Sequence, residues 1–235
     1  LSAGIGATPV LAMLHALATG GERRVALLVD EAHNLVERAR RMYSAELEEE
    51  TLRAVRRTAP AALKRPLERV RRHWRTLVAA QDVPYAVLEG PPRGLVAALQ
   101  EAAAAITEHL AEHPDGAAAE LQGFAFEALH FAQRAESFGE HSLFDLSLAG
   151  RGRSRLCIRN VVPAGFLAPR FAAARSATLF SATLSPADYY AEMLGLPADT
   201  ARLEVASPFD AGQLAVRIAG RLSTRWRDRE GSLGP

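Results

Sequence analysis

The sequence contains very little cysteine, very little lysine and no long apolar stretch. Cys157 is its one cysteine, which excludes an internal disulfide and an all-cysteine metal site and suits a reducing cytoplasm. We interpret Cys157, between Leu156 and Ile158, as a small buried hydrophobic residue. No run of about 18 apolar residues is present, so the sequence predicts neither a membrane-spanning helix nor a membrane partner.

The basic residues are almost all arginine, since only Lys64 among the 28 is lysine. A net charge of +1 does not by itself predict an acidic partner, but the basic residues cluster locally. Arginine suits phosphate contacts geometrically, and Arg56, Arg57 and Arg72 are the candidate DNA contacts. The alternative is a solvated helix face balanced by glutamates. The cluster consists of Arg53, Arg56, Arg57, Lys64, Arg65, Arg69, Arg71, Arg72 and Arg75.

Apolar periodicity predicts an α/β fold that is interrupted by a helical block. Residues 25–29 form a short continuous apolar run, as expected for a strand buried on both faces of a parallel sheet. Apolar residues at spacings of three and four predict helices through residues 45–140. A helix is predicted from Ser185-Pro186 to Gly195. A helical domain inserted into an α/β layer is the simplest architecture. The further strands are predicted at 143–148, 155–162 and 177–181.

An acidic pair closes the first apolar run. Asp30 and Glu31 follow Val29, and the carboxyl ends of strands line the crevice where ligands bind in open α/β sheets. Asp30 can hold Mg²⁺ there through water, and Glu31 can orient and deprotonate the water that attacks a phosphate. His33 can hydrogen-bond toward a neighbouring loop. The alternative is that the acidic pair only caps the following helix.

A second polar element lies at residues 178–186, where an apolar strand ends in small hydroxyl residues. Ser181 and Thr183 could contact a polar partner at the end of an adjacent strand. Taken alone, the pattern favours a plain strand followed by an N-capped helix.

Together the two elements resemble motifs II and III of the DinG/XPD-like family of superfamily-two DNA helicases. The resemblance to motif II rests on LVDEAHNL at 28–35, followed by RRMYSA at 40–45. The resemblance to motif III rests on SATLSP at 181–186, then Tyr190 and LGLP at 194–197. In addition, SPF at 207–209 is similar to the entry into the family's second motor domain. The resemblance is to bacterial DinG-type proteins and extends over nearly the whole chain.

The resemblance implies an ATP-dependent helicase that translocates on single-stranded DNA and unwinds duplex DNA. Asp30 would bind Mg²⁺, Glu31 would be the catalytic base, and both would contact the bound ATP and Mg²⁺. His33, with Ser181 and Thr183, would couple nucleotide state to DNA engagement. Single-stranded and forked duplex DNA are the implied partners, and a monomeric motor is expected.

The resemblance also implies a division into domains. Residues 1–44 would belong to a RecA-like first motor domain, of the kind found in P-loop NTPases, and 45–150 to an all-helical arch-like insertion that guides single-stranded DNA. Residues 151–206 would return to the first motor domain, and 207–235 would start the second.

Parts of the family pattern are missing from the sequence. The phosphate loop G-x-x-x-x-G-K-[ST] needs a lysine, whereas residues 4–8 have none and Lys64 lies in the helical block. The four cysteines that hold an iron–sulfur cluster in many family members are absent, as are motifs V and VI with their γ-phosphate-sensing arginine. We therefore expect a fragment that hydrolyses no ATP by itself. An iron–sulfur cluster would require a longer protein.

Two interpretations from other function classes stay open. A non-catalytic nucleic-acid-binding or interaction module would keep the helical insertion and give Asp30 and Glu31 no role. A zinc hydrolase would use His109, Glu112 and His113, which match the H-x-x-E-H pattern on one helical face. No third zinc ligand is evident, and the helix dipole favours histidines near a helix C-terminus in any case.

Overall fold

The computed structural model describes residues 26–113, 119–150, 152–207, 210, 212, 215 and 216. The chain divides into two compact units, Leu1–Ala198 and Asp199–Pro235. The structure does not describe residues 1–25 of the predicted first motor segment, 1–44. It also leaves out most of the predicted second domain, 207–235.

All the strands and helices named here lie in the first unit. The strands are β1 (Ala26–Val29), β2 (Ala45–Glu48), β3 (Tyr85–Leu88), β4 (Ser142–Ala149), β5 (Arg153–Asn160) and β6 (Ser176–Leu179). The helices are α1 (Leu35–Met42), α2 (Glu49–Thr58), α3 (Ala61–Ala79), α4 (Arg93–Glu112), α5 (Ala119–Glu136), α6 (Ala164–Ala173) and α7 (Ala187–Leu194). None of these helices has the length and apolarity needed to cross a bilayer.

The α/β part of the unit consists of β1, β6, α1, α6 and α7. β1 and β6 pair in parallel, with Val29 opposite Leu179. The three helices enclose a core with one side of this sheet. The mixed α/β class is confirmed, and β1 and α7 lie where the sequence predicts them. The core residues are Leu27, Leu35, Val36, Ala39, Tyr43, Leu167, Phe171 and Leu194.

The end of α7 requires glycine. Gly195 has φ 64°, in the left-handed region, and a Cβ atom there would lie 2.7 Å from the carbonyl oxygen of Ala164. Any larger residue would strain the backbone and clash with the first turn of α6. Gly195 therefore lets the C-terminus of α7 approach α6 closely.

The expectation that the first strand is buried on both faces is wrong for the described structure. Leu27 is buried, whereas the neighbouring Leu28 is 74% exposed. Successive side chains of a strand point to opposite faces, and the described residues cover only the face that carries Leu27. A continuous apolar run therefore overstates the burial of β1.

The insertion, residues 45–160, is not all-helical as predicted. Helices α2 to α5 pack against a four-stranded antiparallel sheet with the order β2-β5-β4-β3. Because β5 pairs with β4 and β2, the insertion extends to Asn160, and the predicted boundary at 150/151 cuts the β4–β5 hairpin. The chain re-enters the α/β part at α6.

The prediction of an all-helical insertion is wrong because it misses two short strands, β2 and β3. β2 reads Ala-Glu-Leu-Glu, and its glutamates are uncommon in strands, while β3 lies in a segment that reads as a Pro/Gly connector. Ala45 and Leu47 are buried and the glutamates between and after them are exposed, so β2 does show two-residue alternation. Four residues are too few to distinguish that pattern from the helix that follows.

One face of the antiparallel sheet forms the core of the insertion with the helices. Its large buried side chains include Leu47, Trp74, Phe124, Phe131 and Phe144. On the opposite face Asp145 is fully buried, and Arg159 Nε donates to its carboxylate over 2.5 Å. This hydrogen bond raises the pKa of Arg159, and the pairing satisfies a charge that would be costly to bury alone. Cys157 is 3% exposed, as expected, and burial raises the pKa of its thiol to about 11.

A buried polar chain links three elements of the insertion. Trp74 Nε1 in α3 donates to Ser154 Oγ over 2.8 Å, and Ser154 Oγ in turn donates to Glu49 Oε2 over 2.6 Å. Arg53 donates to the other carboxylate oxygen of Glu49 over 2.8 Å. Each member is satisfied by the next, so the chain fixes α2, α3 and β5 against one another.

We expect Ser154→Ala to destabilise the protein by about 1–3 kcal/mol, because the indole N–H of Trp74 would be left buried without an acceptor. The matched control is Ser147→Ala on β4, since the side chain of Ser147 makes no hydrogen bond within the described part of the chain. Urea unfolding curves of both variants measure the difference. Equal unfolding free energies would show that the polar chain does not stabilise the fold.

Candidate functional site

The turn after β1 carries an extra residue. Phe180 N donates to the carbonyl oxygen of Val29 over 3.0 Å, and the Phe180 carbonyl accepts from Ala32 N over 3.1 Å. A regular parallel ladder would leave one residue between those two partners, but here there are two, Asp30 and Glu31. Both side chains of this bulge are exposed.

Glu31 holds the bulge in an unusual backbone conformation. Its φ of 52° and ψ of 41° lie in the left-handed region, and it is the one non-glycine residue with positive φ in the described part of the chain. This conformation costs an L-residue about 1–2 kcal/mol. Asp30 Oδ1 accepts from Glu31 N over 2.7 Å and supports the turn. Strain of this kind concentrates at functional sites.

His33 connects the bulge to the end of β6. Its Nδ1 lies 2.7 Å from Ser181 Oγ and 3.2 Å from Glu31 Oε2. Thr183 N donates to Ser181 Oγ over 3.2 Å, and the two hydroxyl oxygens lie 3.5 Å apart. A carboxylate can only accept, so a proton on His33 Nδ1 satisfies both neighbours at once, and we assign that tautomer.

The structure brings together the two residues predicted to be catalytic and the three predicted to couple nucleotide state to DNA engagement. Asp30, Glu31 and His33 lie at the end of β1, and Ser181 and Thr183 lie at the end of the parallel strand β6, beyond the insertion. The interpretation of 178–186 as a plain strand and capped helix is therefore incomplete, because Ser181 has a specific partner. His33 is about one-third exposed and Glu31 about two-thirds exposed, so the site is open to ligands.

The bulge offers oxygen donors of the kind that hard metal ions prefer. Asp30 and Glu31 offer two carboxylates, and the described residues contain no group of three or more His, Cys, Asp or Glu side chains arranged to hold an ion. Mg²⁺ is ordinarily held by one or two carboxylates, with water and phosphate oxygens completing the shell, whereas a dedicated protein cage needs more ligands. Any Mg²⁺ held at the bulge would take the rest of its ligands from water or from phosphate oxygens.

The three arginines predicted to contact DNA differ in whether a carboxylate already pairs with their charge. Arg56 hydrogen-bonds to Glu68, which also accepts from Arg71 over 2.7 Å. Partial burial raises the pKa of Glu68, but the hydrogen bonds and charges of Arg71 and Arg56 outweigh it and lower the pKa overall. Arg57 and Arg72 are exposed, and neither side chain has a partner among the described residues.

The free arginines of α3 lie along one stripe. Arg65, Arg72 and Arg75 are exposed and have no side-chain partner in the part of the chain that the structure describes, while Arg69 pairs with Glu101. Positions three and four apart share one face of a helix, so these side chains form a continuous basic row. A groove of about 800 Å³ follows the row. Among the described residues, those that line it are Arg65, Glu68, Arg69, Arg72, Arg75, Thr76 and Ala79.

The zinc-hydrolase pattern has no support from the geometry. The rings of His109 and His113 stack with centroids 4.4 Å apart at the end of α4, and His113 Nδ1 lies 3.1 Å from the His109 carbonyl oxygen. No third ligand joins them within the described residues. The stacked pair is adequately explained as a helix C-terminus.

Sequence reasoning missed the residues where the α/β part meets the insertion. Arg40, Tyr43 and Ser44 all make contacts there with distant segments. In the sequence these residues belong to the segment RRMYSA at 40–45. That segment supports the resemblance to motif II, but the resemblance assigns no role to its residues. No model of a known protein family matches the chain, and no curated protein matches its sequence.

We expect Glu31→Val to destabilise the protein by about 1–2 kcal/mol relative to Glu31→Asn, because a β-branched side chain tolerates the left-handed region far worse than asparagine does. Both variants remove the carboxylate, so the comparison isolates the backbone. Urea unfolding measures the difference in unfolding free energy. Equal values would mean that position 31 does not keep positive φ in solution.

Proposed function

We propose that the chain forms part of an ATP-dependent DNA helicase motor. In this proposal the α/β part belongs to a RecA-like domain, and the bulge of Asp30 and Glu31 is the hydrolytic half of its nucleotide site. The observation that carries the proposal is the hydrogen bond between His33 and Ser181, which joins the two sequence elements that resemble motifs II and III.

The chemistry of the bulge suits nucleotide hydrolysis. Mg²⁺ bound with the nucleotide would neutralise phosphate charge as it develops in the transition state. Asp30 would hold that ion through water, and Glu31 would take a proton from the attacking water. His33 keeps the Glu31 carboxylate near the strand ends through their 3.2 Å contact. The lysine that contacts the β- and γ-phosphates would come from a segment other than α3, which carries Lys64.

The same hydrogen bond offers a route for coupling. A shift of the Glu31 carboxylate on loss of the γ-phosphate would change the hydrogen-bonding of His33 Nδ1. Ser181 and Thr183 would respond, because Ser181 Oγ accepts from both His33 and the Thr183 backbone. Coupling through a discrete hydrogen-bonded pair needs only two alternative arrangements of that pair.

Single-stranded DNA would pass along the basic row of α3. An exposed guanidinium group without an ion-pair partner can bind a phosphate without first giving up a carboxylate. Arg72 and Arg75 are therefore better candidates for DNA contacts than Arg56, which is paired with Glu68. A forked duplex would be separated where this strand enters the groove. An iron–sulfur cluster and the second motor domain would belong to the longer protein.

A non-catalytic nucleic-acid-binding module is the second candidate, and one observation favours it. The free arginines of α3 lie in the insertion, whose core is separate from that of the α/β part. Such a module would bind DNA with no contribution from Asp30 or Glu31.

We expect Glu31→Gln in the full-length protein to bind ATP but to lower DNA-stimulated turnover about 10²- to 10⁴-fold, the contribution of a positioned general base. Steady-state ATPase assays and equilibrium binding of a fluorescent ATP analogue measure the two effects. Glu37→Gln is the control, because Glu37 is exposed on α1 and its side chain pairs only with Arg41 in the part of the chain that the structure describes. Wild-type turnover of Glu31→Gln would overturn the helicase proposal and leave the binding module.

We expect Arg72→Ala to weaken binding of single-stranded DNA several-fold and to reduce the slope of log affinity against log salt by about 0.7, as for one lost phosphate contact. Arg71→Ala is the control. It removes the same charge from the adjacent position of α3, but the guanidinium of Arg71 is already paired with Glu68. Fluorescence anisotropy over a range of salt concentrations distinguishes them. Identical slopes for the two variants would exclude the α3 row as the DNA path.

A further inference from the structure

The insertion is joined to the α/β part at two crossings of the chain. The outgoing crossing follows α1 and reaches β2 through Tyr43 and Ser44, and the returning crossing runs from Asn160 to α6. Only Asn34 and the eight residues of α1 separate the Glu31–His33 turn from the outgoing crossing. The proposed nucleotide site and the insertion therefore lie at opposite ends of one short helix, α1.

Arg40 connects three elements at this junction. It belongs to α1, its Nε donates to the carbonyl oxygen of Val161 over 2.9 Å, and its Nη2 lies 3.6 Å from Met193 Sδ in α7. Val161 lies on the returning crossing, and α7 follows the segment that carries Ser181. The fixed fork of a guanidinium can hold two such partners at once, which an ammonium group does less well.

Ser44 ties the outgoing crossing to the returning one. Its hydroxyl donates to the Arg40 carbonyl over 2.6 Å and accepts from Asn160 N over 2.9 Å. Two backbone groups at the ends of α1 and β5, which would otherwise lack regular partners, are therefore joined through one side chain.

Tyr43 packs between the two parts. Its ring stacks on Phe166 of α6 with centroids 4.2 Å apart, and Arg170 donates to its hydroxyl over 3.0 Å. On the side of the insertion, the Arg134 guanidinium carbon lies 5.6 Å from the Tyr43 ring centroid. His141, next to β4, meets Phe166 edge-on at 4.9 Å. Tyr43 is 6% exposed, so the contact is a packed one.

We propose that Arg40, Tyr43 and Ser44 form a clasp that fixes the insertion to α1, so that movement of the Glu31–His33 turn is transmitted to the insertion. The inference rests on the proposed function, since it assigns to these three positioning residues the step that links the nucleotide site to the DNA path. α1 is held at one end by His33 and Ser181 and at the other by Arg40. A short helix tied at both ends moves as a unit.

The first test uses full-length protein with Arg40→Ala and Ser44→Ala. We expect the ratio of DNA-stimulated to unstimulated ATP turnover to fall about two- to thirty-fold, the usual size of a coupling change, with the KM for ATP unchanged. Arg41→Ala is the control, because Arg41 is adjacent to Arg40, its side chain is 74% exposed, and among the described residues that side chain pairs only with Glu37. A stimulation ratio at the wild-type value in both variants would overturn the clasp. General unfolding would lower stimulated and unstimulated turnover in the same proportion, so it cannot imitate a fall in the ratio.

The second test does not require ATPase activity. Spin labels at Glu192→Cys in α7 and Gln122→Cys in α5 report the distance between the α/β part and the insertion, as both positions are exposed. The native Cys157 does not compete for the label, because it is buried and its thiol pKa is raised to about 11. We expect a broader distance distribution in Arg40→Ala than in Arg41→Ala.

The two tests separate the clasp from the proposed function. Loss of turnover in Glu31→Gln, together with unchanged stimulation in both Arg40→Ala and Ser44→Ala, would overturn the clasp and leave the helicase proposal standing. Turnover retained in Glu31→Gln would overturn the helicase proposal, and the spin-label distances would then decide the clasp by themselves. Distributions of equal width in Arg40→Ala and Arg41→Ala would overturn it in either case.

Discussion

The parallel pairing of β1 with β6 is the contact on which the rest of the first unit depends. It places the end of a strand near residue 30 beside the end of a strand near residue 180, and the whole insertion must therefore leave and return at almost the same place. The insertion meets this requirement because its first strand, β2, pairs with its last, β5, with Ala45 opposite Ile158. Its entry and exit are adjacent strands of one sheet, so the long excursion costs little in the geometry of the α/β part.

The same constraint explains which parts of the fold the sequence predicts. β1 and the acidic turn could be predicted because a continuous apolar run ending in Asp30 and Glu31 is a local signal. The proximity of Ser181 to His33 required a resemblance, since nothing in the intervening residues indicates that β1 and β6 are neighbours. β2 and β3 were missed because their stability comes from pairing with β5 and β4, which local periodicity does not report.

The basic residues show a similar limit. The sequence identifies an arginine-rich helix but does not distinguish Arg56, which is paired with Glu68, from Arg72, which is not. Glu68 lies only four residues before Arg72, yet its partners are Arg71 and Arg56, the latter on a different helix. The packing of α2 on α3 decides which arginines are paired with a glutamate. The structure is therefore needed to tell the paired arginines from the unpaired ones.

Transmission of movement through α1 depends on how short this helix is. At about 1.5 Å per residue, eight residues span roughly 12 Å, and a helix of that length is not stable alone in water. Its stability comes from Leu35, Val36 and Ala39, which are buried in the core of the α/β part, and from the bonds at its two ends. A helix held only by its surroundings cannot bend independently of them. A change at the strained Glu31 turn must therefore either be absorbed locally or be passed to the crossings at Tyr43 and Ser44, and the packed, hydrogen-bonded state of those crossings favours transmission.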